Sequence, residues 1–220
     1  MRSVGEILSA APRMLVPVVR AYERRLSRYG PTAQGVFWKN QEWQLRRYAI
    51  LEDIFDDMAQ AGGITIHDFG CGYGSLFEYL ADKAVMNRSR YIGTDMSQGM
   101  IDAAKARHAD PRGEFVHGIS AHETADYTIV SGTYNMHMGA DAEEWVEYIQ
   151  ASLKQLWQHT RRGLAFNMLR DDTDVHYDGL YYANPVRFLT FVRESLSPEA
   201  EVIVDPPLPD FTIFVRRPTA

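Results

Sequence analysis

The chain has 220 residues and a formal net charge of −6 at pH 7, from 29 acidic and 23 basic side chains. A hydrophobic content of 45% with 24% charged residues is ordinary for a globular protein, and the length suits one domain with a substantial core. The acidic balance argues against a general nucleic-acid-binding protein, whose affinity depends on a basic excess that neutralises phosphates.

Cys71 is the only cysteine, so an intrachain disulfide is impossible and nothing points to an oxidising compartment. The apolar run near the N-terminus is broken by Pro12, Arg13 and Pro17, and it is too short to span a bilayer. We therefore expect a cytoplasmic protein without integral membrane association.

The sequence predicts a helical arm or lid at residues 1–40, with a break in Tyr29–Phe37. The main domain is predicted at residues 41–220. Five arginines accompany apolar positions in the arm: Arg13, Arg20, Arg24, Arg25 and Arg28. Such a pattern indicates either a solvated helix face or an amphipathic surface for a membrane or partner.

A second helix is predicted from Asn40 to Gln60, before Gly62 and Gly63. Apolar residues at helical spacing predict its buried face: Leu45, Tyr48, Leu51, Phe55 and Met58.

From Ile64 onward, short apolar runs alternate with helix-like segments. The predicted strands are Ile64–Phe69, Arg90–Thr94, Glu114–Val116, Tyr127–Ser131, Gly163–Leu169, Glu201–Val204 and Phe211–Val215. The predicted helices are Ser75–Ala84, Ser97–His108, Ala142–Gln158 and Pro185–Glu194. This alternation predicts an α/β fold, with a doubly wound parallel sheet covered on both faces. The segment DPPLPD is too short for a helical crossover, so the last strand should run antiparallel.

The turn after the first predicted strand contains Gly70, Gly72 and Gly74. Its spacing departs from the dinucleotide pattern G-x-G-x-x-G, since Ser75 stands where the third glycine belongs, and no lysine follows as in a phosphate loop. Asp68, just before the turn, would repel a pyrophosphate but suits an ammonium group. Asp95 ends the next strand, where an acid commonly binds both ribose hydroxyls. A ligand with a ribose and a cationic amino acid but no phosphate fits this pair, and S-adenosylmethionine is such a ligand.

Three segments, HDFGCGYG, YIGTDMSQGMIDAAKAR and DYTIVSGTYN, resemble those of class I S-adenosylmethionine-dependent methyltransferases. Further stretches such as SGTYN, RRGLAFNML and DGLYYANP resemble a bacterial subgroup of mostly unassigned substrate. The resemblance implies a Rossmann-like, seven-stranded sheet with an antiparallel last strand. It covers the chain from about Tyr29 to its end and carries over a cofactor but no acceptor.

For the cofactor, the resemblance implies that the three glycines admit its methionine end, that Asp68 meets its ammonium group, and that Asp95 holds its ribose. Met96 and Ser97 would lie beside the adenine, and Gly118, Ile119 and Ser120 would flank its other face. Many relatives have an acid where Ile119 stands, so adenine selectivity would depend on backbone and packing. Ser131 and Gly132 would lie near the transferable methyl.

Two residues have roles that the sequence leaves open. Arg47 either pairs with the cofactor carboxylate or faces solvent, and Trp38 either covers the cofactor or only pins the lid. Cys71 lies between two glycines, where small-residue packing is the simplest explanation.

For catalysis, His137 is the candidate general base because histidine alone has an unperturbed pKa near neutrality. A surface-loop histidine is the alternative. Asn135 and Asn167 match subgroup patterns but also suit capping or loop hydrogen bonds. Tyr134, His176, Tyr181 and Tyr182 are candidates for lining the substrate pocket, or ordinary half-buried aromatics.

No metal site is predicted, because no His/Cys/Asp cluster has ligand spacing. The D/N-P-P-Y/F motif of DNA amino-methyltransferases is absent after the fourth strand, where SGTYN stands. We therefore expect a small-molecule substrate, no nucleic acid and, if the chain self-associates, a homodimer. A NAD(P)-dependent oxidoreductase and a non-catalytic cofactor-binding partner subunit are the alternatives.

Overall fold

A seven-stranded sheet forms the centre of the protein in the computed structural model, which describes residues 2–218. Its strands are β1 Thr65–Phe69, β2 Arg90–Asp95, β3 Gly113–His117, β4 Ala125–Ser131, β5 Thr160–Leu169, β6 Ala200–Val204 and β7 Asp210–Arg216. The spatial order is β3-β2-β1-β4-β5-β7-β6. Strands β1 to β5 pair in parallel, whereas β7 is antiparallel to both neighbours. The predicted doubly wound sheet with an antiparallel last strand is confirmed.

The helices lie close to their predicted positions. They are α1 Val4–Tyr29, α2 Gln41–Glu52, α3 Asp57–Gln60, α4 Ser75–Leu80, α5 Gln98–Arg107, α6 Ala142–Gln158 and α7 Pro185–Ser195. Two short 3-10 helices occupy Gln34–Val36 and Ala84–Met86. Helix α6 begins after Asp141, whose side chain accepts from the backbone N–H groups of Glu143 and Glu144.

The segment predicted as one helix from residue 40 to 60 is two helices. The chain turns after Glu52, and Asp56 caps α3 by accepting from the backbone N–H of Ala59 at 2.9 Å. Helical phase is lost at this turn, which leaves Met58 78% exposed.

The buried face of α2 also differs from the apolar face predicted. Its buried residues are Gln44, Arg47, Tyr48 and Leu51, while Leu45 is 39% exposed. Two polar side chains point inward because α2 borders a cavity as well as the core. A pattern of apolar residues alone cannot indicate such a face.

Helices cover both faces of the sheet, as alternate residues of β5 illustrate. Leu164 and Phe166 pack with the core shared with α1, α6 and α7, whereas Ala165 packs with the core shared with α2, α4 and α5. Within residues 2–218, no helix is long and apolar enough to cross a membrane.

Helix α1 runs without interruption through Pro12 and Pro17. A capping box at its start pairs Ser3 with Glu6. Its buried positions join the core beside α6 and are Ala11, Leu15, Val18 and Ala21. This packing brings the C-terminal turns of α1 to the edge of the cavity described next.

Candidate active site

A cavity of about 1190 Å³ lies at the carboxyl ends of β1, β2 and β4. Helices α1 and α2 and the segment 175–182 complete its walls. Open α/β sheets bind ligands at this edge. The volume exceeds the roughly 300–1,000 Å³ of a site for one small ligand, so the cavity has room for a cofactor and a second molecule.

The glycine turn forms part of the cavity wall through Gly70 and Gly72. Gly70 has a φ of +79°, and its N–H donates to the carbonyl of Thr94 at 2.7 Å. A Cβ on Gly70 would lie 2.2 Å from Oγ1 of Thr133, so no side chain fits there. Gly74 does not border the cavity but is the N-cap of α4, with the His108 ring packed against it. The turn therefore presents bare backbone to a ligand.

Asp68 borders the cavity at the end of β1 although it is only 2% exposed. The hydroxyl of Tyr91 donates to its Oδ2. Burial is the main reason that the pKa of Asp68 rises to about 7; this hydrogen bond opposes the rise and the Asp95 carboxylate adds to it. No lysine, arginine or histidine within residues 2–218 forms an ion pair with Asp68, so this buried carboxylate is suited to receive a cation from a ligand.

We expect the affinity for S-adenosylhomocysteine to increase with pH because the ionised form of Asp68 is the one that attracts an ammonium group. With a pKa of about 7, the increase from pH 6 to pH 8 should be roughly fivefold to tenfold. Calorimetric titrations at the two pH values measure it, and Asp68→Asn should remove the dependence. An equally steep dependence in that variant would contradict the assignment.

The same shift has the opposite effect on the stability of the unligated protein. The folded state retains a proton on Asp68 that the unfolded state releases near its ordinary pKa of 3.8. This group therefore makes the free energy of unfolding fall as pH rises from about 4 to about 7.

Asp95 is held in place by backbone donors at the end of β2. Its Oδ2 accepts from the N–H of Gly72 at 2.9 Å, and its Oδ1 accepts from the N–H of Ser97 at 2.8 Å. A carboxylate has about four acceptor sites, so it can still bind ligand hydroxyls. Burial removes water from the Asp95 carboxylate and raises its pKa. The hydrogen bonds from Ser97 and Gly72 lower the pKa, but by less.

Four of the five residues expected beside an adenine border the cavity: Met96, Ser97, Gly118 and Ile119. Ser120 does not border the cavity. Gly118 is held beside β2 by its N–H, which donates to the carbonyl of Asp95 at 2.9 Å.

Of the two roles left open for Arg47, the solvent-facing one does not hold. Arg47 is 3% exposed and forms a two-bond pair with Asp210, in which Nη2 lies 2.6 Å from Oδ1, and its Nη1 donates to the carbonyl of Trp43 at 3.0 Å. Asp210 begins β7, far along the sequence, so this partner could not be recognised from the α2 pattern. Arg47 borders the cavity, but its charge is already compensated.

Trp38 borders the cavity and contacts both Arg47 and Gly132. The Arg47 guanidinium lies 4.3 Å from the centre of a Trp38 ring. A Cβ on Gly132, whose φ is +68°, would come within 2.6 Å of that indole. Gly132 thus permits Trp38 to close over the end of β4. Ser131 beside it borders the cavity, and its Oγ is buried without a hydrogen-bond partner among the described residues.

A polar network that the sequence did not reveal lies where α2 faces the glycine turn. Gln44 Nε2 is 3.0 Å from both the Tyr48 hydroxyl and Ser75 Oγ, and the Tyr73 hydroxyl donates to Gln44 Oε1 at 3.4 Å. All four side chains border the cavity. Tyr48 was part of the predicted apolar face, but Gln44, one turn earlier on α2, was not, because a search for apolar residues passes over a buried amide.

The three predicted catalytic residues separate in the structure. Asn135 borders the cavity, where its Oδ1 accepts from the N–H of Leu169 at 3.0 Å. Tyr134 is wholly buried in the core, with its hydroxyl 2.7 Å from Ser152 Oγ. The segment after β4 is a turn, and it directs Asn135 to the cavity and Tyr134 into the core.

His137 lies outside the cavity, contrary to its predicted place. It borders a separate depression of about 470 Å³ beside α1, and its Nδ1 is 3.0 Å from the carbonyl oxygen of Ala140. Within residues 2–218, no histidine lines the larger cavity. Asn167 does not border the cavity either. Its Oδ1 accepts from the N–H of Gly132 at 2.7 Å, and its Nδ2 donates to Asp210 Oδ2 at 3.2 Å.

Of the predicted pocket aromatics, Tyr182 borders the cavity and stacks on His176 with ring centres 3.9 Å apart. Tyr181 packs beside His137 instead. The sequence did not indicate that further side chains from the lid and α6 border the cavity, among them Tyr22, Arg24, Arg25, Arg28, Phe37 and Tyr148. Cys71 also borders it, and burial raises the pKa of its thiol. In the part of the chain described, no group of three or more His, Cys, Asp or Glu residues could hold a metal ion.

Comparison with known proteins gives one relative of substantial identity. "Putative methyltransferase Rv1506c" of Mycobacterium tuberculosis (strain ATCC 25618 / H37Rv) is 33% identical over 160 residues, which are 71% of this chain and 95% of the relative. A family model described as a methyltransferase domain matches residues 67–163. The match runs from β1 to β5 and includes Asp68 and Asp95.

Solved structures share the fold at low identity. Magnesium protoporphyrin IX methyltransferase from Synechocystis PCC 6803, with bound S-adenosylhomocysteine, has a TM-score of 0.65 at 13% identity, with 96% of this chain and 99% of that chain covered. An S-adenosylmethionine-dependent methyltransferase from Mesorhizobium loti has a TM-score of 0.56 at 13% identity, with 77% and 96% covered.

Proposed function

Because the chain belongs to the methyltransferase family, we propose that it transfers the methyl group of S-adenosylmethionine to a small molecule bound in the same cavity. The fold is that of S-adenosylmethionine-dependent methyltransferases. The observation that carries the proposal is the pair Asp68 and Asp95. These carboxylates end neighbouring strands and flank a bare glycine turn in a cavity large enough for two molecules.

The residues present fit this cofactor. Asp68 is a buried carboxylate without a cationic partner, which favours an ammonium group at the turn. Asp95 is fixed by two backbone donors and accepts from ribose hydroxyls. In the network of Gln44, Tyr48 and Ser75, the Gln44 amide donates to both hydroxyl oxygens, and one hydroxyl hydrogen remains to donate to an amino-acid carboxylate, in place of the compensated Arg47. When bound, the cofactor supplies an electrophilic methyl group on a positively charged sulfur.

The chain's own contribution to transfer is to orient the acceptor and exclude water. Asn135 and the unpartnered Ser131 hydroxyl are placed to bind an acceptor near the end of β4. The cavity offers no histidine in the described residues, and burial raises the pKa values of Tyr22 and Tyr148. We therefore propose an acceptor atom that needs no strong base: an anionic group or a neutral amine.

The N-terminal segment 1–40 acts, in this proposal, as a lid on a methyltransferase domain at 41–220. Its residues Tyr22, Phe37 and Trp38 close one side of the cavity. In this proposal the reaction is metal-independent and the location is cytoplasmic, which a single cysteine favours. A homodimer belongs to the same proposal.

Calorimetric titration of the purified protein with S-adenosylhomocysteine and, separately, NADH tests the cofactor. Micromolar binding of the first with none of the second is the expected result, and the reverse would support an oxidoreductase. Incubation with S-adenosylmethionine carrying a labelled methyl group and an extract of cells lacking the gene tests turnover. Binding without any labelled product would favour a non-catalytic partner subunit.

A further inference from the structure

The edge of the cavity formed by the lid carries three cations without an ion pair among the described residues, one of which, Lys39, lies 4.3 Å from the centre of a Trp43 ring. Arg24 and Arg28 of α1 and Lys39 all border the cavity and are exposed. Arg24 and Arg28 are four residues apart, so they lie on one face of the helix. None of the three pairs with an acidic side chain within residues 2–218.

Two neighbouring cations show what an arginine with a structural role looks like here. Arg25 donates from Nε and Nη2 to the carbonyl of Gln34, at 3.0 and 2.6 Å, and lies 4.5 Å from the Phe37 ring centre. Arg47 is paired with Asp210. Arg24 makes no such contact, and Arg28 only lies 5.2 Å from the ring centre of Tyr29. Their charge is therefore free for a ligand.

The charge of this edge contrasts with that of the whole protein. The net charge is −6, yet the lid brings three uncompensated cations to one opening. Of the acidic residues that border the cavity, Asp68 and Asp95 are taken up by the methyl donor in the proposed function. Exposed Asp178 is the remaining one, so the acceptor side is positive.

Below this charged edge the wall is mainly apolar and aromatic. The side chains concerned are Val18, Val19, Tyr22, Phe37, Met136 and Leu180. The Tyr22 and Phe37 rings meet edge to face, with centres 5.3 Å apart. A ligand that fills this part of the cavity gains from contact with apolar groups rather than from hydrogen bonds.

From these observations we propose that the methyl acceptor is an organic anion with a largely apolar body, whose charged group is recognised by Arg24 and Arg28. This inference rests on the proposed methyl transfer and names the class of its acceptor. Arginine binds carboxylate, sulfonate and phosphate oxygens through parallel N–H donors. The apolar body extends from the arginines along the wall toward the end of β4, where Ser131 and Asn135 lie.

A matched pair of probes tests charge recognition without knowledge of the acceptor. The aromatic anion 8-anilinonaphthalene-1-sulfonate and its uncharged counterpart N-phenyl-1-naphthylamine share the same rings. Both are titrated by fluorescence against the full chain saturated with S-adenosylhomocysteine. We expect the anion to bind at least about tenfold more tightly, which corresponds to about 1.4 kcal/mol.

The variant Arg24→Gln/Arg28→Gln should lose about tenfold in affinity for the anion while the neutral probe binds as before. Arg20→Gln is the matched control, because Arg20 is exposed on the same helix but does not border the cavity. Unchanged neutral-probe binding also shows that the variant cavity is folded.

Three outcomes would overturn the proposal: equal affinity for the two probes in the native chain, an undiminished anion affinity in the double variant, or an equal loss in Arg20→Gln. Sedimentation with phosphatidylglycerol vesicles adds a fourth. If Arg24 and Arg28 are needed for vesicle binding but not for the soluble anion, the basic edge recognises a membrane surface. Failure to bind S-adenosylhomocysteine would instead count against the methyltransferase function itself.

Discussion

Asp95→Ala is expected to lower the affinity for S-adenosylhomocysteine at least about 100-fold. The variant removes an ionised acceptor for ribose hydroxyls, and hydrogen bonds to charged groups contribute about 1.5–3 kcal/mol each. It also removes the acceptor for the N–H groups of Gly72 and Ser97, which fix the glycine turn against the start of α5. Both losses weaken the binding of S-adenosylhomocysteine, and a calorimetric titration measures their combined effect on its affinity.

The control for this variant is Asp102→Ala. Asp102 lies on α5 and is exposed, and its side chain accepts from the exposed Gln98 at 2.8 Å. Asp95→Asn separates charge from shape, because the amide oxygen still accepts one of the two backbone bonds. We expect an intermediate loss for Asp95→Asn. Native affinity in Asp95→Ala would show that the ribose binds elsewhere.

The part of the fold that local patterns determine could be predicted closely. Helix α6 has the bounds predicted, because an aspartate cap precedes an uninterrupted apolar stripe at helical spacing. The antiparallel β7 followed from the length of the segment before it, since a short connection excludes a helical crossover. The positions of Asp68, the glycines and Asp95 were equally local, because each stands near a strand end that the pattern fixes.

The side of the cavity where we propose that the acceptor binds was not indicated by the sequence, because tertiary contacts decide which residues border it. His137 was the candidate base because of the pKa of histidine alone. In the structure, Asn135 borders the large cavity, whereas the His137 ring borders the separate depression beside α1. The arginines of α1 looked like a solvated face or a surface arm. Only the packing of α1 beside α6 shows that Arg24 and Arg28 border the cavity whereas Arg20 does not.

Arg47 illustrates the same limit, and its replacement gives the second large expected effect. In sequence it is a helix arginine next to another arginine, yet the two have opposite environments. Arg46 pairs with Asp205 at the surface, with Nε 2.6 Å from Oδ2 and side chains 41% and 36% exposed. The side chains of Arg47 and Asp210 are each only 4% exposed.

We expect Arg47→Met to lower the free energy of unfolding by about 3–5 kcal/mol, because it leaves the buried Asp210 carboxylate without its partner. Urea denaturation measures this change. Arg46→Met is the matched control and should have little effect, since exposed ion pairs contribute little. The double variant Arg47→Met/Asp210→Asn removes the uncompensated charge and should recover much of the loss.

The same variants decide between the two roles of Arg47. If Arg47 bound the cofactor carboxylate, Arg47→Met would lower S-adenosylhomocysteine affinity, and restoring stability through Asp210→Asn would not return it. If Arg47 instead only holds Asp210 and supports Trp38 over Gly132, the double variant should regain stability. It should then also bind S-adenosylhomocysteine nearly as the native chain does. The cofactor carboxylate would then depend on Gln44, Tyr48 and Ser75, which the double variant leaves intact.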